Sequence, residues 1–209
     1  MIRFMVAVVI GAIYVALVPH EPCPLHYFVK AAPMVLLASI AASARLPLLV
    51  VAFLASAAGD ALLAIDRAGL LLPALGAFLI TQLCYVRHFW QHRAPTRTRV
   101  VAAVAVGAVA VFYLAGIVAP RLDGGLLVAV PIYGVVLATM AGCAIVADCP
   151  RQVAVGAALF VLADSLIAWN QFVAAFGHST MIIVSIYLSA QLLIAHGLLP
   201  LRGNREVPA

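Results

Sequence analysis

Charge is what this sequence has least of. Twelve basic and seven acidic side chains in 209 residues leave only 9% of the chain charged, against about 25% in ordinary soluble domains. A soluble domain of this length needs a charged surface, so that class is excluded. Lysine is almost missing, with Lys30 standing alone beside eleven arginines. The arginines fall at the ends of apolar runs rather than in one patch, which argues against a nucleic-acid partner despite the net charge of +5. Cysteine is sparse too: Cys23, Cys84, Cys143 and Cys149 form no C-x-x-C pair. Cys84 and Cys143 lie inside apolar runs, so neither a disulfide framework nor a thiolate metal site is expected. Strand-like alternation is absent, which excludes a transmembrane barrel. So are a Gly-x-Ser-x-Gly elbow, a phosphate-binding glycine loop and any nucleotide motif.

What is present is apolar length. Hydrophobic residues make up 67% of the chain, in runs close to the ~20 helical residues that cross a ~30 Å hydrocarbon core. The expected fold is all-α: a polytopic membrane protein of eight transmembrane helices in one domain, residues 1–200, followed by a polar cytoplasmic tail, 201–209. The spans are expected near residues 4–18, 25–42, 46–65, 69–88, 100–118, 125–146, 152–174 and 179–199. The first run mimics a signal peptide, but Val-Pro-His-Glu-Pro-Cys offers no small-x-small cleavage site, so it is read as a membrane helix. Pro47 falls in the first turn of the third span, where proline is tolerated.

Basic residues set the orientation. With a cytoplasmic N-terminus, nine arginines (3, 45, 87, 93, 97, 99, 151, 202 and 205) face inward, and Lys30, Arg67 and Arg121 face outward. The excess of Lys and Arg on the cytoplasmic side places both termini there, in an integral protein of the bacterial cytoplasmic membrane. Two motifs echo each other: Ala-Gly-Asp60-Ala-Leu-Leu and Leu-Ala-Asp164-Ser-Leu-Ile. Each is followed one helix later by a glutamine, Gln82 or Gln191, and preceded one helix earlier by Pro33 or Pro131. That offset suggests a parallel repeat of four plus four helices; the alternative is convergence of Ala/Leu-rich spans.

Five of the seven acids (Glu21, Asp66, Asp123, Asp148 and Glu206) fall in loops or the tail. Asp60 and Asp164 alone are deep, each roughly 18–20 Å from the inner end of its helix at ~1.5 Å per residue. A carboxylate inside an apolar span costs ~2.5–3.5 kcal/mol on insertion scales, which makes it a functional hypothesis by default. Two carboxylates facing one low-dielectric cavity cannot both ionise cheaply, so a protonated acid stands beside a carboxylate base. That pair suits acid/base hydrolysis with no metal and no cofactor. The structural alternative is helix glue, each aspartate being paired to Lys30, a tyrosine or a glutamine.

Lys30 either snorkels to the interface or pairs with an interior acid. Gln82, Tyr85, Tyr133, Asn170, Tyr187 and Gln191 complete a polar interior as substrate-binding or supporting residues, although singly each also serves as glue between helices. Trp169 and Trp90 suit the bilayer interface or, for Trp169, a pocket wall. His88 and His92 have metal-grip spacing, but they lie among arginines and read as interfacial. A gathering of His20, Glu21, His26 and His178 on the outer side is a further, less favoured metal candidate.

In order along the chain, Lys30-Ala-Ala-Pro33-Met, Ser56-Ala-Ala-Gly59-Asp60, Gly76 to Tyr85, Pro131-Ile-Tyr133, Gly156 to Ser165 and Tyr187-Leu-Ser-Ala-Gln191 resemble the YhhN-like family of integral-membrane lysoplasmalogenases. The chain departs from the family pattern in three places: Lys30 is not followed directly by proline, Gln82 stands where histidine is common, and Ala163 precedes Asp164 where serine is common. The resemblance implies a lysophospholipid substrate in the membrane. It also implies hydrolysis of the 1-alkenyl ether bond to a fatty aldehyde and a glycerophospho-alcohol, with Asp60 and Asp164 as the acid/base pair. The rival reading is a proton-coupled transporter using the same aspartates, for which prolines near helix ends and a lone Gly59 provide few mid-membrane breaks.

Overall fold

The computed structural model describes residues 1–17 and 26–201, apart from the side chain of His26. His20, Glu21, Cys23 and the tail residues Arg202, Arg205 and Glu206 lie outside it. Among the described residues the chain is helical throughout. The helices are α1 (Ile2–Leu17), α2 (His26–Ser43), α3 (Pro47–Ile65), α4 (Leu71–Gln91), α5 (Arg97–Phe112), α6 (Leu126–Val146), α7 (Arg151–Phe172) and α8 (Ser179–Leu198). A π-turn segment, Tyr113–Val118, and a 3₁₀ turn, Ala119–Arg121, extend α5.

Five of these elements are long and apolar enough to cross a membrane: α3, α5 with its extension to Arg121, α6, α7 and α8. This is the build of an integral membrane protein, with fewer qualifying spans than the eight expected from run length. α1 and residues Tyr27–Ser43 of α2 are shorter apolar helices. α4 is long, but Thr81, Gln82, Arg87, His88 and Gln91 dilute its hydropathy.

Consecutive helices pack on one another within α1–α4 and within α5–α8, and the two groups are joined by α4 on α6 and, more lightly, by α1 on α8. Under a four-helix repeat the counterpart of the α4–α6 junction is α8 on α2, which has no comparable contact, so the helix packing does not by itself establish the repeat. Small residues let helices approach closely. A Cβ on Gly156 of α7 would stand 2.8 Å from the Ala190 carbonyl oxygen of α8, and one on Gly59 of α3 would stand 2.7 Å from the Phe78 ring of α4.

Both ends of the helical body meet at one face. Arg3 at the start of α1 donates to Ser43 at the end of α2 (3.1 Å), and the rings of Phe4 and His196 lie 5.7 Å apart. On the same face the loop after α4 is laced to the loop after α6. Ala94 N–H donates to Val146 O (3.0 Å), Asp148 N–H to His92 O (2.7 Å), and Arg99 reaches the carbonyls of Ala94 and Ala147. Arg93 covers the Trp90 ring at 4.8 Å. α5 lies at the periphery: none of its residues is buried, and Val101, Val104, Val109 and Phe112 are exposed.

Candidate active site

The polar side chains inside the bundle lie at one depth because the helices alternate in direction. Lys30, Phe78, Tyr133 and Tyr187 come early in α2, α4, α6 and α8, while Asp60 and Asp164 come late in α3 and α7. At ~1.5 Å per residue all six stand roughly 6–12 Å from the helix ends opposite the arginine-rich face.

Asp60 is sealed. It is 2% exposed, its Oδ2 accepts from the Tyr187 hydroxyl at 2.9 Å, and the Lys30 ammonium stands 3.7 Å from Oδ1. Lys30, itself 6% exposed, therefore pairs inward with an acid instead of snorkelling. One helical turn deeper, Gln191 organises a second layer. Its Nε2 donates to Ser56 Oγ (2.9 Å) and reaches Tyr187 (3.4 Å), and its Oε1 accepts from the Tyr85 hydroxyl (2.7 Å). Ser56 and Thr81 share a hydrogen bond of 3.0 Å, and Thr81 donates on to the Ala52 carbonyl. Every polar group around Asp60 is thus partnered, as a low-dielectric interior requires.

Asp164 is placed differently. It is only partly buried, accepts a hydrogen bond from Tyr133, and lies close enough to Asp60 for the two charges to interact. It lines two openings. One is a small cavity of about 60 Å³ between α4, α6 and α7, with Phe78 and Tyr133 in its wall. The other is an apolar groove of about 520 Å³ between the α5 extension, α6 and α7. The polar lining of the groove is Tyr113, Tyr133, Asp164 and Ser165. Phe78 joins the two carboxylate settings, since its ring packs edge-on against Tyr187 with centroids 5.9 Å apart.

Gln82 is fully buried, and neither its Nε2 nor its Oε1 has a hydrogen-bond partner among the described residues; the Tyr133 hydroxyl is beside it. Asn170 lies apart from this group, its Oδ1 accepting from Phe176 N–H in the turn after α7 (3.3 Å). The rings of His88 and His92 lie 4.7 Å apart, with a His92 ring nitrogen turned to the His88 carbonyl (2.8 Å). No group of three His, Cys, Asp or Glu converges among the described residues.

Sequence reasoning missed Ser56, Phe78, Thr81 and Tyr113. Ser56 had a signal, lying one turn before Asp60 on the same helix face. Tyr113, which donates to the Ser165 carbonyl (2.7 Å), had none, because its direction depends on the π-turn.

No solved structure matches this chain. Lysoplasmalogenases of Mycobacterium bovis and Mycobacterium tuberculosis are each 34% identical to it over 165 residues, covering 77% of this chain and 62% of theirs. Lysoplasmalogenase TMEM86B of Sus scrofa is 31% identical over 144 residues, 69% of this chain and 60% of the relative. The chain therefore spans about three fifths of the length of these relatives. The profile of the YhhN family matches residues 25–198, most of the chain, and the chain belongs to that family.

Proposed function

We propose that this protein is a membrane-embedded hydrolase that cleaves the vinyl ether bond of a lysoplasmalogen. The names of its relatives support the substrate class. The observation that carries the chemistry is the unequal placement of two carboxylates at one depth: Asp164 borders an apolar groove, and Asp60 is sealed against Lys30 and Tyr187.

A vinyl ether is opened by protonating the alkene carbon farther from oxygen. Asp164 is the donor in this reading: Tyr133 holds Oδ2, leaving Oδ1 to carry the proton. Protonation leaves an oxocarbenium ion, whose positive charge is stabilised by ionised Asp60, kept anionic by the Lys30 ammonium. Water adds to the carbon bonded to oxygen, and its released proton returns to Asp164. The hemiacetal then collapses to a fatty aldehyde and a glycerophospho-alcohol. Gln82, buried beside the Tyr133 hydroxyl, supports the tyrosine that orients Asp164.

Aldehyde release from a 1-alkenyl lysophospholipid by the purified protein tests this. Asp164→Asn should lower turnover by ~10²–10⁴-fold, the usual worth of general acid catalysis, with substrate binding retained. In D₂O the aldehyde should carry one deuterium at its α-carbon, with a slowed rate. Turnover near the parent's in Asp164→Asn, or an aldehyde without deuterium, would overturn the mechanism.

A further inference from the structure

The groove at Asp164 has a polar end and an apolar end. Its lining runs from Val130 to Ile145 on α6 and from Ala154 to Ala168 on α7, a length of roughly 21–22 Å at ~1.5 Å per residue. Its volume of about 520 Å³ lies within the ~300–1,000 Å³ of small-molecule sites. The lining follows both helices for that whole length, so the space is an elongated groove and not a compact pocket. From Asp164 to Ala154 the lining is apolar on every wall, and that stretch is about 15 Å long. This is half of a ~30 Å hydrocarbon core, the depth of one leaflet.

The walls there are thin. Ala105 on α5 and Ala158 on α7 are both exposed and stand at the same level on the two sides of the groove. α5 closes the groove without burying a residue. It is tied to α7 at the polar end, where Tyr113 leaves the π-turn to reach the Ser165 carbonyl beside Asp164. π-turns of this kind recur at functional sites.

We propose that this groove binds the single hydrocarbon chain of the lipid substrate. The chain lies along α7 from Asp164 toward Ala154, entering sideways from the bilayer between α5 and α7. The headgroup lies beyond Asp164, on the side of Ala168. The groove thereby aligns the reacting bond with the carboxyl group and selects for chain length and for one chain rather than two. Its occupant is the substrate's chain only if the hydrolase reading holds, so the test has an arm that does not need turnover.

In the activity arm, Ala158→Trp and Ala105→Trp fill the apolar half of the groove. Each should lower kcat/KM for long-chain 1-alkenyl lysophospholipids by about tenfold or more, since several methylenes lose their seat, while a short-chain substrate keeps its rate. Equal loss at every chain length, or none, would overturn the inference. In the binding arm, a lysophospholipid carrying a diazirine at the chain end is irradiated with the otherwise unaltered Asp164→Asn protein. Label should fall around Ala105 and Ala154–Ala158, and excess diacyl phosphatidylcholine should not displace it. Label on other faces, or equal competition by the diacyl lipid, would refute the groove as the chain site whatever the tryptophan variants do. If no lysoplasmalogen releases aldehyde while the label still falls in the groove, the hydrolase reading fails and the chain site stands.

Discussion

Lys30 and Asp60 form an ion pair with both side chains almost wholly out of solvent, 7% and 2% exposed. The two charges are worth little as a pair, because desolving them offsets most of their attraction, but each is costly without the other. Lys30→Met should therefore destabilise the protein by about 3–5 kcal/mol, the usual result of leaving a buried charge uncompensated. Adding Asp60→Asn should restore much of the loss, since the neutral pair leaves no charge stranded. Denaturation of the single and double variants in detergent checks this; equal stability of Lys30→Met and the parent would show that the ammonium does not hold Asp60. Asp164 has no such clamp, and its hydrogen bond to Tyr133 orients a group that stays reachable from the groove. Similar apolar neighbourhoods thus produce unlike carboxylates, because the helices around them differ: Lys30 of α2 and Tyr187 of α8 close over Asp60, whereas Asp164 borders the groove along α5.

Helices in lipid gain nothing from excluding water, so close packing has to hold them, and Gly156 and Gly59 mark where it is closest. A Cβ on Gly156 would press on the backbone oxygen of Ala190 at 2.8 Å, an atom that cannot move without α8. Gly156→Ala should cost about 1–3 kcal/mol, as overpacking does. Gly107→Ala in α5, where a Cβ meets nothing within 4 Å, should be neutral or stabilising by up to about 1 kcal/mol through helix propensity. Thermal unfolding of the two variants side by side tests the contrast, and a Gly156→Ala protein as stable as the parent would mean that α7 and α8 slide freely. The helix bounds were readable from the sequence to within a few residues, because run length and Pro, Gly and Arg punctuation set them locally. Asp60 and Asp164 were readable as the deep acids, and they are the deep ones among the described residues. The Tyr85–Gln191–Ser56 chain was not, because a hydrogen bond between helices depends on the rotation of each about its axis, which composition does not encode. The division between a sealed and an open aspartate escaped for the same reason, as did the π-turn that aims Tyr113.

The connections at 44–46, 66–70, 92–96, 122–125, 147–150 and 173–178 are short, and short links make successive helices antiparallel neighbours. An even number of alternating helices returns the chain to its starting face, and the contact between Phe4 and His196 places Ile2 and Leu198 at one end of the bundle. Arg3, Arg45, Arg87, Arg93, Arg97, Arg99 and Arg151 gather at that end, against Lys30, Arg67 and Arg121 at the other. Because Lys and Arg tend to be retained on the cytoplasmic side, the orientation we predict has the arginine-rich end inward and the carboxylate layer nearer the outer face. Single cysteines in a variant stripped of its natural ones test this in intact cells. Asp148→Cys, in the loop after α6, should resist a membrane-impermeant thiol reagent until the cells are opened. Asp123→Cys, in the turn before α6, should react at once. Labelling of both from outside, or the reverse pattern, would invert the orientation and move the site to the inner leaflet. The outcome also decides which leaflet supplies the lipid, because the groove runs from Asp164 toward the arginine-rich end. With that end cytoplasmic, a lipid entering from the outer leaflet would keep its headgroup outward, with its chain running from Asp164 past the bilayer centre toward the cytoplasmic end of α7.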